Sequence, residues 1–405
     1  MPKMQSAALG IWIKVGGRYE SAKNKGVSHY LEHLAFKGSK SYSCREIKEL
    51  IEGVGGSLNG FTSEELTCYL AKFPSRYLDL VLGVLADMTI NPLLSTADIE
   101  KERTVILEEI KMYKDLPQSY VYELLDALLW PNHPLGDSIT GTFESVSRMK
   151  REDLLGFKEQ YYVSSNIIVS AAGLLEPSKF IIKVQKIFSP LKVKDISAFC
   201  PVRERQVRPQ LKVFDKDTEQ VHLALGFHSL KRDHPLRHAL GLLHVILGGN
   251  MSSRLFNEIR EKRGLAYEIG THLRRFYDTG AFIVHAGIDN RKVNEAIRLI
   301  LKELEKIKDK LVSSDEFRRA KDFYVGQLML ALEDTLDHML WIGESTATLD
   351  RIYTLADIIR EVNRVRREDV RSVAKYVLKE ESLNLALIGP LKDKQEKIRR
   401  QLGLS

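Results

Sequence analysis

QVHLALGFHS, residues 220–229, carries the same apolar alternation as LGIWIKVGGR at residues 9–18. Both read as strands, because successive side chains on a pleated backbone point to opposite faces and alternation buries one of them. The segments downstream of the two strands are also alike. After the first come the helical stretch CREIKELIEGVG, the hairpin pattern LNGFTSEELTCYLAKF and the apolar-faced helix PSRYLDLVLGVLADMTI. After the second come LRHALGLLHVILGGNMSSRLFNEIREKRG, LAYEIGTHLRRFYDTGAFIVHAGI and NRKVNEAIRLILKELEKIK, in the same order. The chain therefore reads as a divergent internal duplication with a period of about 200 residues, too long for a solenoid repeat.

Two packed, similar domains also suit a chain of 405 residues, which exceeds the usual size of one core. The expected class is α+β, with two homologous α/β-sandwich domains of about 200 residues each. Further helices are expected over 95–115, 117–130 and 150–161, and NIIVSAAGLLE at 166–176 reads as a buried strand and turn. Periodicity is lost in SPLKVKDISAFCPVRERQVRPQ, residues 189–210, which holds three prolines. The expected boundaries are thus 1–190 for the first domain, 191–210 for a linker and 211–405 for the second.

Composition narrows the function. Hydrophobic residues make up 44% and charged residues 28%, the balance of an ordinary globular protein. The formal charge of +7 comes from 61 Lys and Arg interleaved with 54 Asp and Glu. Even the sharpest basic runs, at 366–371 and 395–400, sit at helical spacing with acids mixed in, which is the pattern of a solvated helix face rather than a nucleic-acid footprint. Cys44, Cys68 and Cys200 are odd in number and far apart, so a reducing compartment is expected. No signal-peptide pattern and no run of about 18 apolar residues is present, and a cytoplasmic chain with no membrane contact is the expectation.

Chemistry concentrates in HYLEH, residues 29–33. On a helix, with His29 at zero, Glu32 falls at about −60° and His33 at about +40°, so all three share a face. Two imidazoles at i and i+4 can hold one divalent ion, with zinc the usual choice, and the glutamate beside them can take a proton from water activated there. H-x-x-E-H is the inverzincin pattern. The duplication supplies a control: the matching helix of the second half has His238 and His244, six apart with no glutamate between them. A third ligand should come from another element, and the helix at 95–115 offers Glu102 and Glu109 in line with Ile106 and Tyr113. These two carboxylates lie two turns apart, about 10.5 Å, so one would ligate and the other would support the ligands from behind.

HYLEH, ERTVILEEI about seventy residues on, HPLGDSITGTFESVSRMKREDLLGFKEQYY at 133–162 and RLFNEIREKRGLAY in the second half together resemble the pitrilysin/insulysin metallopeptidases. Within that family the likeness is to the short-chain branch with mitochondrial processing peptidase and its bacterial relatives, and it spans essentially the whole chain. The resemblance implies one Zn²⁺ per chain held by His29, His33 and Glu109, with the spacing from His33 picking Glu109 over Glu108. It implies Glu32 as general base and Glu102 as support. Asn59 would begin the edge strand on which a peptide is laid as an added strand. Arg260 and Tyr267 would hold the substrate carbonyl or the oxyanion that forms from it. A homodimer enclosing two zinc sites in a closed chamber, acting on short or unfolded peptides, is the implied assembly. The resemblance also admits a non-catalytic scaffold or substrate-binding homologue, but such relatives lose the metal set that this chain keeps.

Overall fold

The computed structural model describes Met1 and residues 3–404. The first half runs β1 (Ser6–Ile13), α1 (Val27–Ala35), α2 (Cys44–Glu52), β2 (Ser57–Thr62), β3 (Thr67–Pro74), α3 (Leu78–Ile90) and α4 (Thr96–Asp115). It continues with α5 (Pro117–Leu129), α6 (Phe143–Arg148), α7 (Arg151–Tyr161), β4 (Ile167–Gly173) and α8 (Pro177–Phe188). The second half runs β5 (Gln210–Asp215), β6 (Gln220–Ser229), α9 (Arg237–Leu247), β7 (Ala266–Arg275), β8 (Gly280–Asp289), α10 (Val293–Asp309) and α11 (Ser314–Ala331). It ends with α12 (Thr335–Leu349), α13 (Leu355–Arg364), α14 (Arg367–Val377), β9 (Asn384–Gly389) and α15 (Gln395–Gln401). The fold class is α+β, as expected.

Each half builds its own sheet. The first has the order β2-β3-β1-β4, antiparallel throughout, and the second the order β5-β9-β6-β8-β7, in which β5 and β9 are parallel. The repeated strands β1 and β6 lie inside their sheets. Alternation along β1 explains its burial on both faces: Leu9, Ile11 and Ile13 enter the core containing Tyr30, Leu31 and Val81, while Ala8 and Trp12 enter a separate cluster with Met339 and Ala347. β4 is an edge strand and only partly buried, because no further strand covers its outer side among the described residues.

The compact units depart from the boundaries expected at 190 and 211. One comprises Met1–Met112, Asp137–Cys200 and Met329–Tyr353, the other Tyr113–Gly136, Pro201–Leu328 and Thr354–Ser405. Each half thus covers its sheet with a helix from the other half: α12 packs on β1 and β4, and α5 packs on β6 and β9. Close approach of α12 needs a glycine. A Cβ on Gly343 would lie 2.1 Å from Trp12 Nε1, the atom that donates to Ser170 Oγ at 2.8 Å. No described helix is long and apolar enough to cross a membrane.

Candidate metal centre

α1 is started by a built corner. Gly26 sits at φ +86°, where a Cβ would meet Thr140 O at 2.6 Å, so a side chain there is excluded twice over. The first backbone N–H groups of the helix, on Gly26 and Ser28, donate to the Glu20 carboxylate at 2.6 and 2.8 Å. Burial outweighs those two bonds and pushes Glu20 up to about 7. Val27, Leu31 and Leu34 fix the buried side of α1, and the Tyr30 hydroxyl donates to Ile99 O, tying α1 to α4.

That contact sets the register of the two helices that carry the polar set. On α4 the buried side is Ile99, Glu102, Ile106 and Ile110, at helical spacing. Glu102 is therefore a carboxylate in an apolar stripe, 2% exposed. Glu109 is rotated toward α1: its Oε2 lies 3.7 Å from His29 Nε2 and 3.6 Å from His33 Nε2. Glu108 instead faces solvent and pairs with Lys111. The two imidazole rings stand 4.5 Å apart, centre to centre.

His29, His33 and Glu109 bring one donor atom each to within 4.8 Å of one another. Ligands about 2.0–2.2 Å from a tetrahedral zinc lie roughly 3.4 Å apart, so the separations of 3.6 and 3.7 Å fit that ion. Burial, and then the neighbouring His33, hold His29 down to about 3, so its ring is neutral, the form that ligates a metal. Behind the set, His33 Nδ1 lies 3.2 Å from Glu102 Oε2, and Glu102 Oε1 lies 2.6 Å from Lys37 Nζ. This is the imidazole–carboxylate arrangement that fixes a ligating ring from its far nitrogen.

Glu32 flanks the set. Its Oε2 accepts a hydrogen bond of 3.0 Å from Thr62 Oγ1 at the end of β2. Burial raises the carboxyl above its ordinary value, and the Thr62 bond opposes that rise. β2 itself is an edge strand, paired only with β3, and Asn59 on it is exposed with its Oδ1 accepting from the Gly60 N–H at 2.8 Å. In the second unit, Arg260 lies on a π-helical turn, Phe256–Glu261, with its guanidinium 4.7 Å from the Phe256 ring centre and 5.8 Å from that of Tyr267. Tyr267 occupies an irregularity in β7 between Ala266 and Glu268 and is 76% exposed. A bulge re-aims a side chain, and here it places a phenol in solvent beside a cation.

The second half holds its histidines separately. His238 Nε2 pairs with Glu361 at 2.8 Å and His244 Nδ1 with Thr271 Oγ1 at 2.7 Å. Among the described residues, His29, His33 and Glu109 are the group that could hold a metal ion. Sequence reasoning did not name Thr62 or Lys37. Thr62 could have been found two positions along the strand from Gly60, and Lys37 at the next i+4 step after His29 and His33.

A duplicated α/β sandwich with a helix-borne H-x-x-E-H set completed by a carboxylate from a second helix defines a class of metal-dependent hydrolases. Residues 1–143 match the model described as insulinase, peptidase family M16, and residues 148–324 the model described as peptidase M16 inactive domain. The chain belongs to the peptidase M16 family. It is 36% identical over 389 residues to an uncharacterized zinc protease of Bacillus subtilis, covering 96% of this chain and 94% of that one. A relative of the same description from Streptomyces coelicolor is 36% identical over 401 residues, covering 98% and 87%. Among solved structures, a protease from Helicobacter pylori superposes with a TM-score of 0.91 at 25% identity, covering 96% and 95% of the two chains. A peptidase M16 inactive domain from Pseudomonas fluorescens, at 18% identity and TM-score 0.88 with 96% and 94% covered, shares the fold.

Proposed function

We propose that this chain is a zinc-dependent endopeptidase that hydrolyses short or unfolded peptides. The observation that carries the reading is the convergence of His29, His33 and Glu109, with Glu32 beside them and held by Thr62. Bound there, one zinc ion per chain would supply Lewis acidity to a water and to the scissile carbonyl. Glu32 takes the proton of the attacking water and passes it to the leaving amine, a task suited to a carboxyl raised by burial. Thr62 keeps that carboxylate turned toward the reacting atoms. Glu102 holds the ring of His33 from behind.

The free edge of β2, with Asn59 on it, accepts the peptide backbone as an added strand, which selects extended chains rather than particular side chains. Arg260 and Tyr267 hold the substrate carbonyl oxygen as negative charge develops on it. The chain works in the cytoplasm as a homodimer whose two copies enclose the substrate and exclude folded proteins. The relatives named as zinc proteases support the metal and the peptidase activity.

The test is zinc content and cleavage of an internally quenched peptide, measured together on the wild type and on His33→Ala. Loss of about one zinc per chain together with all turnover in the variant supports the reading. A wild type that takes up no zinc and cleaves nothing overturns it in favour of a non-catalytic scaffold.

A further inference from the structure

His29, His33 and Lys37 succeed one another at intervals of four, so the stripe that presents the two imidazoles ends in an ammonium. α1 closes at Phe36, and Lys37 is the first residue beyond it. Its backbone is held on both sides: the Lys37 N–H donates to Leu34 O at 3.1 Å, and Gly38, at φ +132°, accepts from the Leu93 N–H at 3.0 Å. The ammonium is thereby delivered to Glu102 Oε1 at 2.6 Å.

We infer that Lys37 is a positioning residue for the ligand His33, acting through Glu102. The two oxygens of that carboxylate are divided between two partners, Oε1 facing Lys37 and Oε2 facing His33 Nδ1 at 3.2 Å. With Oε1 held in that ion pair, Oε2 is the oxygen left facing the His33 ring. His33 Nδ1 then has a fixed acceptor, which sets the ring so that Nε2 faces Glu109. Glu102 lies among Ile99, Ile106 and Ile110, where no water-facing rotamer would replace a lost cation.

Two effects of the ammonium oppose each other, which makes the inference decidable. As a bare positive charge close to the site, Lys37 weakens binding of a divalent cation by repulsion. As an anchor of Glu102, it strengthens that binding by holding the ligand ring. The structure assigns the larger effect to the anchor, because the ammonium contacts a carboxylate and no ligand atom. The inference rests on the metal half of the proposed function.

The experiment measures the dissociation constant of Zn²⁺, by competition with a chromophoric chelator and without peptide, for the wild type, Lys37→Met, Lys37→Arg, Glu102→Gln and the Lys37→Met/Glu102→Gln double variant. Lys37→Met is expected to weaken zinc binding about 10- to 100-fold. Lys37→Arg should recover most of the loss, and in the Glu102→Gln background Lys37→Met should add less than about a twofold change. Should Lys37→Met not fold, Lys37→Ala, which likewise removes both the charge and the donor, is read in the same way. Unchanged or tighter zinc binding in Lys37→Met overturns the inference, as does an equal loss in the Glu102→Gln background. A wild type that binds zinc but cleaves no peptide removes the peptidase reading and leaves the role of Lys37 standing.

Discussion

Thr62 donates its hydroxyl to Glu32 Oε2 at 3.0 Å, across from the two histidines that flank the same carboxylate in sequence. The bond stabilises the ionised form of Glu32 against the burial that raises its pKa. Removing it in Thr62→Val should push that pKa higher still. A general base must be ionised to act, so the acid limb of kcat/KM against pH should move to higher pH, while bound zinc is unchanged. Glu32→Gln should retain zinc and lose at least about a thousandfold in turnover, since the amide cannot take the proton. A Glu32→Gln chain that turns over at the wild-type rate would remove Glu32 from the mechanism.

Glu20 gives the fold a pH dependence whose sign can be worked out. Its pKa is raised by folding, from an ordinary 4.5 to about 7, so the folded state favours the neutral carboxyl. The stabilisation is complete below about 4.5 and is lost as pH rises toward 7, a change of roughly 3 kcal/mol at most. Glu20→Gln removes the charge and one of the two acceptors for the Gly26 and Ser28 N–H groups. It should be less stable than the wild type near pH 5 and should close that gap by pH 8, read from denaturant midpoints in the presence of a chelator. An equal pH slope in the two proteins would show that folding does not shift the Glu20 carboxyl.

The three converging donors predict what each removal does. Glu109→Gln keeps an oxygen near both Nε2 atoms but loses the charge, and should weaken zinc binding by at least tenfold. Glu108→Gln, one position away and facing solvent, should change neither zinc nor turnover. Chelation should abolish cleavage and added zinc should restore it. Equal effects of the two substitutions would mean that α4 is turned differently in solution.

Much of this was legible in the sequence, and the parts that were not share a reason. The duplication showed because strands and amphipathic helices carry their period with them, and α5 and α7 lie where periodicity put them, at 117–129 and 151–161. The polar set showed because HYLEH is local. Helix exchange did not show: periodicity reveals that α12 has a face to bury but not which sheet receives it, and its contact side mixes Met339 with small residues, Gly343 and Ala347. Lys37 was hidden among ordinary lysines, because a buried partner 65 positions later in the chain is what distinguishes it. Nor does a one-residue bulge that turns Tyr267 outward leave a mark in the alternation of LAYEIGTHL.

Trp12 and Gly343 provide the sharpest test of that exchanged helix. In an exposed helix, replacing glycine by alanine stabilises by about 1 kcal/mol. At Gly343 the added methyl would lie 2.1 Å from Trp12 Nε1 and 2.3 Å from Trp12 Cε2, within an indole that is 1% exposed, so the sign should reverse. Overpacking of a closed core costs about 1–3 kcal/mol, and Gly343→Ala should destabilise the first unit by that amount. Trimming the indole in Trp12→Leu leaves a cavity and loses the bond to Ser170, which costs about 3 kcal/mol on its own. The double variant should be more stable than the two losses added together, because the new methyl fills space that the indole has left. Strict additivity in denaturant midpoints, with Gly343→Ala neutral or stabilising, would mean that α12 does not pack against β1 in solution.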